Sequence, residues 1–120
     1  MKEFSFRNRL RSFRFAFIGI GRMLTSQHNA WIHASATVAV ILTGFYLNFT
    51  KDEWSFIIVS IVAVWVAEAM NTSLELLADV ASPEFHPLVE KAKDVAAGAV
   101  LISAVGAAII GLIVILPYLF

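Results

Sequence analysis

Between positions 68 and 79 the chain reads Glu68-Ala-Met-Asn71-Thr72-Ser-Leu-Glu75-Leu-Leu-Ala-Asp79, at the end of an apolar run that begins near Trp54. At about 100° per residue of helix, Glu68, Asn71, Thr72, Glu75 and Asp79 fall within about 100° of arc, while Met70, Leu74 and Leu77 look elsewhere. A carboxylate inside a membrane-spanning run costs at least about 2.5 kcal/mol, so an ionisable residue there is a functional candidate by default. The competing role is interhelical glue, in which Glu68 and Asn71 only hydrogen-bond neighbouring helices. With a rise of about 1.5 Å per residue, Glu68 lies about 21 Å along the helix from Trp54 and Glu75 about 31 Å. A hydrocarbon layer about 30 Å thick therefore holds the first and releases the second to the interface. A buried carboxylate suits proton abstraction from an alcohol, and an interfacial one suits a divalent cation.

The elements that must carry these residues follow from composition and period. The chain has 120 residues, 59% of them hydrophobic, and a mean hydropathy of +0.79. Ordinary soluble domains are about 45 to 50% apolar, so an integral membrane protein is expected, all-α and forming a single membrane domain over 1–120. Residues 4–26 form an amphipathic surface helix in which Phe6, Leu10, Phe13, Phe17, Ile20 and Leu24 step by helical spacings beside Arg7, Arg11 and Arg14. Spans are expected at about 30–49, 54–77 and 95–120, with Trp31 at one end of the first and Tyr46 and Phe49 at the other as interfacial anchors. The last span is rich in Ala, Gly and Ser, which lets helix backbones approach closely.

Charge is balanced, nine basic against nine acidic residues, which points to no nucleic acid or other polyanionic partner. Its distribution is uneven. Lys2, Arg7, Arg9, Arg11, Arg14 and Arg22 precede the first long apolar run, which places the N-terminus in the cytoplasm. The basic first 25 residues lack an unbroken apolar core with a small-residue cleavage site, which argues against a signal peptide. Cysteine is absent, which excludes disulfides, thiolate metal sites and a cysteine nucleophile. No G-x-x-x-x-G-K-[ST] or G-x-G-x-x-G loop occurs, so a bound nucleotide would be held by side chains.

Three spans with the N-terminus inside bring Gln27, Glu75, Asp79, the 80–92 connection, Lys93 and Asp94 to one surface, with Glu68 just beneath. Carboxylates, a lysine and arginines at a headgroup layer can hold a divalent metal together with nucleotide phosphates. A second reading is a non-enzymatic helical bundle or proton relay that uses Glu68 and Glu75 alone. On residue type, His86 between Phe85 and Pro87 reads as a solvated loop histidine.

The joint pattern E-x-x-N-[ST]-x-x-E at 68–75, Pro83-Glu84-Phe85-His86-Pro87 and Ala92-Lys93-Asp94 resembles the prokaryotic diacylglycerol kinase and undecaprenol kinase family, from about Gly19 to the C-terminus. The resemblance implies a homotrimer of three-span subunits with sites shared between neighbours. It also implies transfer of the γ-phosphoryl group of ATP, with Mg2+, to the hydroxyl of diacylglycerol or undecaprenol at the cytoplasmic face of the bacterial inner membrane. On matching positions Glu68 is the general base, Asn71 orients substrate or phosphate, and Glu75 is a magnesium ligand. Glu84, His86, Lys93 and Asp94 are nucleotide contacts. Gln27 stands where the family usually has a second metal-binding glutamate, and Trp31 where an arginine is common. Arg9, Arg11 and Arg14 are candidates for phosphate or anionic lipid on charge grounds only.

Overall fold

The computed structural model describes residues 3–120, and every regular element among them is a helix: α1 Phe6–Ser26, α2 His28–Leu47, α3 Lys51–Ala81 and α4 Pro87–Leu119. The last three are long and apolar enough to cross a membrane. The architecture is therefore the all-α membrane fold expected, with three candidate spans behind an amphipathic first helix.

The helix boundaries have local causes. Gln27 alone separates α1 from α2, in extended conformation with φ −120° and ψ 125°, so one residue makes the corner between surface helix and first span. Asn48 ends α2 in the left-handed region at φ 56°, a conformation that Asn tolerates better than most residues. Thr50 then opens α3 through a capping box. Its Oγ1 accepts from the Glu53 N–H at 3.2 Å, and its own N–H donates to Glu53 Oε1 at 2.9 Å. The α3–α4 link is short. Ser82 Oγ donates to the Glu84 carbonyl at 2.9 Å, His86 caps α4, and Pro87 occupies the first helical turn, where a missing N–H is harmless.

Two expectations shift. The third span, read from hydropathy as starting near 95, is the inner part of a helix that begins at Pro87. Hydropathy marks the stretch that matches lipid, whereas the cap at His86 marks where the helix begins. Phe49, expected as an interfacial anchor, is instead buried, whereas Tyr46 and Trp31 are exposed. The left-handed turn at Asn48 comes just before it, and Phe49 packs between Trp54, at 5.4 Å between ring centroids, and Tyr118, at 5.8 Å.

The core lies between α3 and α4. On α3 the buried residues are Ile57, Ser60, Val64, Glu68, Asn71 and Thr72, one helical face that is mainly apolar toward Lys51, the outer end in the expected orientation, and polar toward Ala81, the inner end in that orientation. Phe49, Ile57 and Val114 form the outer cluster, with Trp54, Ile61 and Ile110 packed against it. Gly44 on α2 meets this cluster closely, since a Cβ there would stand 2.6 Å from the Trp54 ring. Further in, α2 stands off from its neighbours. An apolar cavity of about 550 Å³ opens between α2, α3 and α4, lined in part by Ala104, Ala107, Ala108 and Gly111 of α4. On α1 only Met23 is buried, and the stripe from Phe6 to Leu24 is exposed.

Candidate active site

Glu68 is fully buried on the face of α3 that carries the core, one turn below Asn71 and Thr72. Neither of its carboxylate oxygens makes a hydrogen bond. One polar group comes within ion-pair reach, the Nε2 of His33 on α2, 3.4 Å from Oε2. A desolvated carboxyl group without hydrogen bonds is expensive, which makes Glu68 the first candidate for a functional side chain on this face. Thr72 Oγ1 donates to the Glu68 backbone carbonyl at 2.9 Å and leaves the side chain free.

One turn and two turns further along α3 the polarity continues as an array. Asn71 Nδ2 donates to Glu75 Oε1 at 3.4 Å, and Gln27 Nε2 donates to Glu75 Oε2 at 3.3 Å. The one-residue corner between α1 and α2 thus aims Gln27 at Glu75. The Oδ1 of Asn71 is buried and unpartnered. Among the described residues no three His, Asp or Glu side chains converge in a metal-binding arrangement. What is present is one carboxylate that accepts from two carboxamides; the carboxylate fits a small divalent cation, and a carboxamide could add its oxygen by turning over when a ligand's own oxygens complete the shell.

A second cluster lies where α3 ends and α4 begins. A cleft of about 140 Å³ is lined by Asp79, Ser82, Glu84, His86, Glu90 and Lys93, so the structure brings Glu84, His86 and Lys93 together. Among the described residues no carboxylate lies within ion-pair distance of Lys93. His86 is not a freely solvated side chain: its Nδ1 accepts from the Leu88 N–H at 3.1 Å and caps α4. Asp79 is one turn beyond Glu75, which joins this cleft to the Glu75 array along α3. Asp94 is exposed and does not line the cleft. Arg9 sits elsewhere, in a separate surface cleft at the start of α1 beside Asn8 and Arg11, with its guanidinium over the Phe4 ring at 5.7 Å. Within one chain, Arg9 is not brought to the other site residues.

Residues 14–115 match the family of prokaryotic diacylglycerol kinases. The chain belongs to this family. It is 38% identical over 117 residues to the undecaprenol kinase of Bacillus subtilis, a match covering 94% of this chain and 95% of that one. It is 36% identical over 111 residues to a diacylglycerol kinase of Synechocystis, covering 92% of this chain and 63% of the relative. A diacylglycerol kinase of Helicobacter pylori is 35% identical over 83 residues, covering 63% and 65%. Members of the prokaryotic diacylglycerol kinase family are lipid kinases, and the chain is an enzyme of that class. The resemblance read from the 68–75, 83–87 and 92–94 motifs is thereby borne out.

His33 is not among the residues that the motifs single out, yet it is an ionisable residue in an apolar helix, the signal that singles out Glu68.

Proposed function

We propose that the chain transfers the γ-phosphoryl group of magnesium-bound ATP to the hydroxyl of a membrane lipid alcohol, diacylglycerol or undecaprenol. The reaction takes place at the cytoplasmic face of the bacterial inner membrane, in a homotrimer whose sites are shared between subunits. The observation that carries this reading is Glu68: a fully buried carboxylate with both oxygens free of hydrogen bonds, below Asn71 and Glu75 on the same helix face, with the Gln27 carboxamide brought to Glu75 from the α1–α2 corner.

Glu68 and Glu75 are seven residues apart, about 10 Å along α3. That separation suits two tasks at two depths. The lipid hydroxyl, held at the lower level, gives its proton to Glu68 while its oxygen forms a bond to the γ-phosphorus. The bond from that phosphorus to the β,γ-bridging oxygen breaks, and ADP leaves. Asn71, between the two levels, would orient the hydroxyl through its buried, unpartnered amide oxygen or a phosphate through its amide N–H. Glu75, with the carboxamide oxygen of Gln27, would hold Mg2+, which when bound neutralises phosphate charge. Lys93 supplies a cation to the phosphates from the cleft it shares with Glu84 and His86, and Asp94 follows on the same turn of α4. Arg9 is placed on the nucleotide through the subunit assembly, where α1 of one chain would meet the helices of another. Little covalent chemistry is asked of the protein, which acts by positioning and by charge.

Purified protein in detergent micelles should phosphorylate diacylglycerol, undecaprenol or both with MgATP, and the two alcohols assayed side by side identify the acceptor. Glu68→Gln should lower turnover about 10²- to 10⁴-fold while ATP binding and the helical fold persist. A folded protein that binds no nucleotide at millimolar ATP would turn the reading towards a proton relay, for which the Lys93 cleft has no task.

A further inference from the structure

We infer that His33 is the positioning residue for Glu68, fixing which of its two carboxylate oxygens receives the lipid proton. The inference rests on the lipid kinase reading above and adds to it a residue that none of the motifs contains.

The geometry is specific. His33 is mostly buried, with 15% of its side chain exposed, and its Nε2 stands 3.4 Å from Glu68 Oε2. Its ring is braced on a second side by Trp65 of α3, edge-on with centroids 6.2 Å apart and planes at 71°. Trp65 is itself pinned across the helix gap: its Nε1 donates to Thr37 Oγ1 at 3.0 Å, and Thr37 Oγ1 donates to the His33 carbonyl at 2.7 Å. These contacts form a closed loop, from His33 to Thr37 on α2, across to Trp65 on α3, and back through the imidazole. They lie beside the apolar cavity that His33 and Thr37 help to line, where α2 otherwise stands apart from α3. Among the described residues α3 presents Glu68 to His33, and neither α1 nor α4 presents a charged group within ion-pair distance of it.

A carboxylate that serves as a base needs one oxygen fixed and the other open. Nε2 of His33 stands 3.4 Å from Oε2, the one ion-pair contact of this carboxylate among the described residues, while nothing comes within hydrogen-bond reach of Oε1. The lipid hydroxyl proton therefore goes to Oε1 as the alcohol oxygen bonds to the γ-phosphorus, and His33 neither gains nor loses a proton in that step. Neighbours that orient a reactive group in this way are typically worth about 10- to 100-fold in activity.

The test compares wild type, His33→Ala, His33→Gln, Glu68→Gln and the double variant His33→Ala/Glu68→Gln, each in detergent micelles with MgATP and lipid alcohol. Thermal unfolding is monitored alongside. Wild-type turnover together with a Glu68→Gln variant slowed about 10²- to 10⁴-fold supports the kinase reading independently; without that pair of results, the reading itself fails. Given that pair, His33→Ala should lower kcat about 10- to 100-fold with the KM for MgATP unchanged. His33→Gln, whose Nε2 donor lies at a similar reach, should recover most of the loss. The double variant should be no slower than Glu68→Gln alone. The inference is overturned if His33→Gln is as impaired as His33→Ala while equally well folded, if the loss appears in KM for MgATP, or if the two substitutions multiply.

Discussion

The two ends of α3 are built on opposite terms. At the outer end the buried and capping groups are engaged: Thr50 and Glu53 complete a capping box, the Tyr118 hydroxyl donates to Glu53, and Phe49 fills the space between Trp54 and Tyr118 against Gly44. At the inner end the same helix face buries Glu68 and Asn71 and leaves three side-chain oxygens without partners. One helix thus runs from a region where contacts are satisfied to a region where they are withheld. Burial at the outer end supports the fold; on the function proposed above, burial at the inner end would hold polar groups ready for a ligand at some cost to the fold.

Substitutions at the two ends should therefore fail differently, and the contrast can be broken from either side. The largest effect is expected at Glu68→Gln: turnover should fall about 10²- to 10⁴-fold, the range of a positioned general base, with thermal stability unchanged or raised because a buried charge is removed. A matching loss of stability would mean that the inner end is structural too. Glu75→Gln should cost about 100-fold in turnover, partly recovered at high magnesium concentration, because a metal-bound transition state would lose a charged ligand. Recovery would be read from the magnesium dependence of the initial rate. At the outer end, Gly44→Ala should lower unfolding stability by about 1 to 3 kcal/mol, since the new Cβ would lie 2.6 Å from the Trp54 ring and 2.7 Å from the Phe49 ring. Its kcat at a temperature where it remains folded should match wild type. Thr50→Ala should show the smallest effect, about 1 kcal/mol of stability and none on kcat, both measurable in the same micelles. An outer-end substitution that changed kcat more than stability would end the division.

Much of this arrangement can be read before any coordinates. The phase of Glu68, Asn71 and Glu75 in an apolar run is enough to place them on one face, because helical period is a local property. The apolar stripe of α1 is legible for the same reason, and the structure leaves it exposed. What escapes the sequence depends on other helices or on caps. His33 has no spacing partner of its own, and its significance comes from a residue on the neighbouring span. Phe49 looks like an anchor in one dimension and becomes core beyond the turn at Asn48. The start of α4 is hidden because Glu90, Lys91, Lys93 and Asp94 hold average hydropathy down in its first turns, while His86 and Pro87 set the helix boundary. Arg9 shows the converse: charge nominated it for the nucleotide, and the chain places it in a cleft of its own.

The length of α4 carries a last consequence. Its 33 residues measure about 50 Å, some 20 Å more than the hydrocarbon it crosses. If Leu119 is held at one boundary, Lys93 stands clear of the opposite one, while Glu68 on the paired helix stays below it. The protein is then a ruler laid across the bilayer, with its phosphate-binding end fixed relative to the lipid surface by acyl-chain length. In a thicker membrane hydrophobic mismatch would draw that end toward the tails, so turnover in reconstituted vesicles should peak at one lipid chain length and fall on both sides of it.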